Sequence, residues 1–181
     1  MDEIEQYGEA LAKDVFGAET VDLRPLSGHI ADMIFLACFT KPGDTLMCIQ
    51  PEDGGYPGLW NDCLAGLFGL RAVPIPFSRE NMKIETEKTK EAIKRLKPKV
   101  LMFGASLILF PHPVRELADV ARECGVIMGF DGSHVLGLIA GKRFQDPLKE
   151  GARALLGSTH KSFFGPQGGI ILADKEYGET A

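Results

Sequence analysis

Lys161 stands in the stretch Ser158-Thr159-His160-Lys161-Ser162-Phe163-Phe164, between the apolar run Ala154-Leu155-Leu156-Gly157 and the glycine turn Gly165-Pro166-Gln167-Gly168-Gly169. This pattern carries an ammonium toward the interior, where a charge needs a partner, a lowered pKa or a covalent bond. A desolvated lysine can lose its proton near neutral pH and form a Schiff base; the alternative is a structural lysine paired with a carboxylate such as Asp131. Asp131 closes the apolar run Val126-Ile127-Met128-Gly129-Phe130 and precedes Gly132-Ser133-His134. A carboxylate there is partly desolvated and holds a cationic group, or it simply closes an Asx turn.

Two further places carry chemistry. Ser27-Gly28-His29 opens an apolar segment that runs to Phe39. Free N–H groups, a helix dipole and a hydroxyl form a phosphate-sized anion site there, although serine is also an everyday N-cap. Ser106, after Val100-Leu101-Met102-Phe103-Gly104-Ala105, either donates a hydrogen bond into the same crevice or ends its strand. A helix-start anion site, a strand-end carboxylate and a downstream lysine are together the polar contacts that pyridoxal phosphate demands.

The elements that must position these groups alternate. Residues 3 to 16 carry Ile4, Tyr7, Leu11 and Val15 on one helical stripe, with Gly17 as a stop. Thr20 to Leu23 is short and extended, and the segment from Ser27 to Phe39 is a helix apolar on nearly every face, hence buried. Strands are predicted at Leu46 to Ile49, Arg71 to Phe77, Val100 to Phe103 and Val126 to Phe130, with apolar segments at 153 to 156 and 169 to 173. Helices are predicted at Leu59 to Leu67, Thr86 to Leu96 and along Val114 to Cys124, and the two prolines of the second strand mark a sheet edge. This order implies an α/β fold, a three-layer α/β/α sandwich with a mainly parallel central sheet. Ligands of such sheets bind beyond the carboxyl ends of the strands.

With 181 residues, 45% hydrophobic and 25% charged, the chain has the composition of one globular domain, residues 1 to 181. A net charge of −5 gives no footprint for nucleic acid or an anionic membrane. The basic segment Lys83 to Lys99 has no interleaved aromatics, and Glu91 with Lys94 and Arg95 reads as ordinary helix-surface pairing. Cys38, Cys48, Cys63 and Cys124 show no CxxC spacing and read as reduced thiols, so no metal site is expected. The start, Met1-Asp2-Glu3-Ile4-Glu5, lacks the regions of a signal peptide, and the apolar run Met33 to Phe39 is too short to span a bilayer. The expectation is a cytoplasmic protein.

In order along the chain stand Leu11-Ala12-Lys13-Asp14-Val15-Phe16-Gly17-Ala18-Glu19, Pro25-Leu26-Ser27-Gly28, Lys41-Pro42-Gly43-Asp44-Thr45 and Lys97-Pro98-Lys99. Gly104-Ala105-Ser106, Asp131-Gly132-Ser133-His134-Val135-Leu136-Gly137-Leu138, Thr159-His160-Lys161-Ser162 and Gly165-Pro166-Gln167-Gly168-Gly169 follow. This ordered set resembles the serine hydroxymethyltransferase family, within the fold-type-I pyridoxal-phosphate enzymes. The resemblance implies that Lys161 forms the Schiff base and that Asp131 pairs with the pyridine nitrogen. It also implies that Ser27, Gly28 and the adjoining His29 meet the phosphate, and that His134, Ser106 and His160 lie near the ring. Asp53-Gly54-Gly55-Tyr56 stands where the family has His-Gly-Gly-His, so Tyr56 takes the stacking position.

The sequence also departs from the family. His29 replaces a small polar residue, and Phe164 and Gln167 stand where two arginines are usual. The resemblance begins inside the family's sequence and stops after the lysine loop, which implies a large cofactor-binding domain without the N-terminal segment and C-terminal small domain. A small amino-acid substrate, possible use of tetrahydrofolate as co-substrate, and a homodimer or a complex with a second chain supplying the missing parts are what it implies. Two readings compete: another fold-type-I reaction (aminotransferase, racemase or folate-independent aldolase), and a non-catalytic cofactor-binding half that needs a partner chain.

Overall fold

Residues 2–180 are described by the computed structural model. In chain order the strands are β1 (Thr20–Asp22), β2 (Thr45–Cys48), β3 (Arg71–Pro74), β4 (Phe77–Ser78), β5 (Lys83–Ile84), β6 (Val100–Phe103), β7 (Ile127–Asp131), β8 (Ala154–Ser158) and β9 (Gly169–Ala173). Seven of them form one sheet of order β1-β9-β8-β7-β6-β2-β3, while β4 and β5 make a separate two-stranded ribbon. The run from β8 to β3 is parallel throughout, and β9 pairs antiparallel with both β8 and β1. The α/β class and the mainly parallel sheet expected from the alternation are what the chain adopts. β3 is the edge strand, and its one proline, Pro74, fits there because a residue without an N–H loses nothing on the unpaired side, while Pro76 falls beyond the strand.

The helices are α1 (Asp2–Phe16), α2 (Gly28–Phe39), α3 (Leu64–Leu67), α4 (Thr86–Leu96), α5 (Val114–Glu123), α6 (Leu136–Ala140), α7 (Pro147–Glu150) and α8 (Lys175–Thr180). Strand alternation divides the core. Met47, Leu101, Phe103, Met128, Phe130, Leu155 and Leu172 point to one face, which α4, α5 and α6 cover. Leu46, Val100, Met102, Ala154, Leu156 and Ile171 point to the other, where α2 lies with Ala31, Phe35 and Leu36 fully buried.

Several sequence expectations are corrected. The helix predicted from Leu59 is confined to Leu64–Leu67, since Pro57–Leu59 forms a single 3₁₀ turn and Cys63 breaks the helical run with extended φ. The strand predicted over Arg71 to Phe77 ends at Pro74, and Phe77 turns away into the ribbon with β5. Helices α6 and α7 carry no long periodic signal, being one turn or little more. On α4 the ion pairs join Glu85 with Lys88 and Glu87 with Lys90, not Glu91 with Lys94 and Arg95. The stripe on α1 is not its packing face: Ala12 and Phe16 turn to the sheet, while Ile4 is 78% exposed and Tyr7, Leu11 and Val15 are exposed with it. No helix among the described residues is long and apolar enough to cross a membrane. Nor does any group of three or more histidines, cysteines or carboxylates suited to a metal occur among them.

Candidate functional site

The site assembles where the parallel strands end. Ser27 has an extended backbone, and its Oγ accepts from Ile30 N at 3.2 Å while its carbonyl accepts from Ala31 N. The N-cap role is thus realised. It leaves the N–H groups of Gly28 and His29 without an acceptor among the described residues, at the positive end of a twelve-residue helix. Only glycine fits at 28: a Cβ there would meet Ser133 Oγ at 2.6 Å and Ser158 N at 3.0 Å. The helix start is therefore pressed against the ends of β7 and β8.

Asp131 is the last residue of β7, in register with Leu156 of β8. Its Oδ1 accepts from Ser133 N at 2.9 Å, so the Asx turn is real as well. Its Oδ2 has no donor among the described residues and is free to take a cation. Gly104 ends β6 with φ +97, and any Cβ there would collide with the Asp131 carbonyl. That close approach brings Ser106, half-buried and without a hydrogen-bond partner among the described residues, to the same edge.

The antiparallel turn from β8 to β9 carries Lys161. Thr159 braces it, with its N–H donating to Gly168 O at 3.0 Å and its Oγ1 donating to Pro166 O at 2.7 Å. His160 Nδ1 accepts weakly from Gly168 N at 3.4 Å. The expectation that the pattern carries Lys161 inward is corrected: the side chain is exposed, and Phe163 takes the inward place against Phe16, with ring centroids 5.9 Å apart. Among the described residues Lys161 makes no ion pair; its Nζ lies 3.4 Å from His134 Nε2. Burial, then the neighbouring ammonium, lowers the pKa of His134, so it faces Lys161 as a neutral imidazole with a lone pair to share.

Tyr56 and His29 meet as a pair. The phenol oxygen lies 3.0 Å from His29 Nδ1, and the rings stand edge-on at 5.9 Å. The Tyr56 ring lies across Gly58, whose missing side chain makes the room. Burial, and then the carboxyls of Asp32 and Asp131, raise the phenol pKa, keeping it protonated. His29 Nε2 also faces Cys63 Sγ at 4.0 Å.

The strand ends therefore bring together Ser27, Gly28, His29, Tyr56, Asp131, His134 and Lys161, with Ser106 and His160 at the margin. Sequence reasoning passed over three groups. Ser133 Oγ accepts from Ser158 N at 3.0 Å and ties β8 to the turn after β7. Ser158 Oγ is buried without a partner among the described residues. Asp32 on α2 is 0% exposed, and neither carboxyl oxygen has a partner among the described residues. An acidic residue within Ile30-Ala31-Asp32-Met33-Ile34, four after Gly28, was the available signal.

A family model described as serine hydroxymethyltransferase matches residues 1–180. Similar curated proteins include serine hydroxymethyltransferase of Methanocaldococcus jannaschii, 48% identical over 176 residues, which are 97% of this chain and 41% of that protein. The serine hydroxymethyltransferase of Thermococcus kodakarensis is 46% identical over 180 residues, 99% of this chain and 42% of its own length. Among solved structures, L-threonine transaldolase from Pseudomonas fluorescens in the internal aldimine state matches with a TM-score of 0.88 at 29% identity, over 95% of this chain and 39% of that one. The chain spans about two fifths of the length of the relatives it matches.

Proposed function

The chain belongs to the serine hydroxymethyltransferase family, and we propose that residues 1–181 act as the pyridoxal-phosphate-binding large domain of an enzyme that works at Cα of a small amino acid. One observation carries this reading: the N–H groups of Gly28 and His29 and the Oδ2 of Asp131, unpartnered among the described residues, and the Nζ of Lys161, which makes no ion pair among them, converge at the carboxyl ends of the parallel strands. Each answers one end of the cofactor. The N–H groups and Ser27 suit the dianionic phosphate, Asp131 suits a protonated pyridine nitrogen, and Lys161 suits covalent attachment. When bound, pyridoxal phosphate supplies an electron sink for the bond broken at Cα.

The chain's own groups hold and orient. Asp131, braced by Ser133 N, would hold a protonated pyridine nitrogen through its other oxygen. His134 Nε2, 3.4 Å from Lys161 Nζ, holds that side chain toward the strand ends. Tyr56, fixed by His29 and Gly58, would flank the bound cofactor, with Ser106 and His160 at the margin of the same site. Tetrahydrofolate as co-substrate, a cytoplasmic location, and a homodimer or a second chain that completes the site belong to the same reading.

Incubation with pyridoxal phosphate followed by borohydride reduction tests it. The expected outcome is a covalent adduct, seen by intact mass, that maps to Lys161 and is absent in Lys161→Ala. An unmodified wild type sinks the proposal. A second reading, folate-independent aldol chemistry or another fold-type-I reaction, is favoured by the Tyr56–His29 pair and by Phe164 and Gln167 in the lysine loop. Turnover of serine or threonine without added folate separates the two, and the lack of turnover until a second chain is added would favour a cofactor-binding half.

A further inference from the structure

Asp32 has no place in the reading above, and its surroundings are severe. It lies in the middle of α2, 0% exposed, and neither oxygen finds a donor among the described residues. An isolated carboxylate in such a place is far more costly than a neutral acid, which also carries an O–H to donate.

Its position is fixed by its neighbours along the same helix face. Gly28, one turn earlier, abuts Ser133 and Ser158. Phe35, one turn later, lies over Gly129, where a Cβ would meet its ring at 2.8 Å. Asp32 therefore sits above the last residues of β7. By strand alternation Asp131 points to the same face as Gly129, toward α2. The charged and titratable groups around Asp32 are Asp131 from β7, Lys161 from the β8–β9 turn, Cys48 from β2 and Tyr56 from the loop after it. Burial first, and then the charge of Asp131, raise the Asp32 pKa well above the usual range, with Lys161 opposing. Burial and Asp32 together push Cys48 up to about 12, which leaves it a thiol.

We propose that Asp32 is a neutral carboxylic acid that acts through Asp131, a positioning residue whose O–H is directed at the Asp131 carboxylate and holds its free oxygen ready for a cationic ring nitrogen. Two carboxyls on one site cannot both ionise cheaply, so the wholly buried one keeps the proton. Asp131, the more exposed of the two, already accepts from Ser133 N as a carboxylate does. The role in cofactor binding rests on the function proposed above, whereas the protonation state does not.

Infrared difference spectroscopy of the chain without cofactor reads the protonation state directly. The expected result is a protonated-carboxyl band at neutral pH that disappears in Asp32→Asn and persists in Asp131→Asn. A spectrum with no such band, or a band unaffected by Asp32→Asn, overturns the proposal whether or not the chain binds pyridoxal phosphate. The second readout is pyridoxal-phosphate affinity, measured by fluorescence quenching. Asp32→Asn, which keeps a neutral donor, should bind as the wild type does, while Asp32→Leu should bind about tenfold more weakly. Equal weakening in both variants overturns the neutral-donor role. Failure of the wild type itself to bind pyridoxal phosphate, with the infrared band present, counts against the cofactor reading and not against the protonated state.

Discussion

The two faces of the sheet bury polar groups in opposite ways. Beneath α4 and α5, Thr89 donates its hydroxyl to Glu85 O, and His112 accepts from Gly104 N at 3.2 Å while its ring lies beside Phe103 and Phe130. Both are satisfied by the protein itself, and both serve the fold. Beneath α2, the Asp32 carboxyl and the Ser158 hydroxyl are just as buried and have no partner among the described residues. A fold normally pairs its buried polar groups, so a face that leaves them unpaired at the strand ends is where a ligand belongs. The same contrast holds for histidine: burial alone lowers the pKa of His112 to about 4, whereas His134 is exposed and shifted partly by Lys161.

Core truncation gives the largest expected effects and asks whether the faces form one cooperative unit. Phe35→Ala beneath α2 and Phe103→Ala beneath α5 both remove fully buried rings. Each should cost about 3–5 kcal/mol in urea unfolding. A loss below about 1 kcal/mol on either side would break the comparison, because that face would not share in the cooperative core.

Acid should separate the faces next. His112 has a folded pKa of about 4, below its ordinary 6.5, so its contribution is intact above pH 6.5 and is lost as pH falls toward 4, where the unfolded chain binds the proton first. The loss is roughly 3 kcal/mol and should be absent in His112→Gln. Asp32 has the opposite sign. Its folded pKa lies above the unfolded value of 3.8, so stability is full below 3.8 and declines as pH rises through the range above it. Asp32→Asn should therefore stabilise the protein at neutral pH, by about 1–3 kcal/mol, and should not do so below pH 3.8. Parallel pH–stability curves for the two variants would overturn the contrast.

Smaller effects sharpen it. Ser27→Ala removes the cap of α2 and should cost about 1 kcal/mol in thermal unfolding. On the outer side of α1, Ile4→Ser should change stability by no more than about 0.5 kcal/mol. A larger loss would show that another chain covers the exposed stripe in solution, and sedimentation of wild type and variant at matched concentration checks this.

Much of the site was legible in the residues. Asp131 and Lys161 follow apolar runs that form strands, and Ser27-Gly28 precedes an apolar helix, so their convergence follows from parallel strand order alone. Asp32 was hidden because an apolar helix reads as uniform packing, and nothing local tells which of its residues faces a strand end. The exposure of Lys161 was hidden for a related reason: the hairpin chooses between Lys161 and Phe163 for the inward position, and a phenylalanine contact with Phe16, far earlier in the chain, decides it.

The amino-acid sequence by itself determined the alternation of strands and helices, the edge position of β3 and the chemistry available at the strand ends, because these depend on periodicity and residue type within short windows. Tertiary structure decided which carboxyl is solvated and which is not, which face of α1 packs, and that Tyr56 pairs with His29. Those outcomes depend on distant segments competing for the same space, and burial is a property of the assembled sheet.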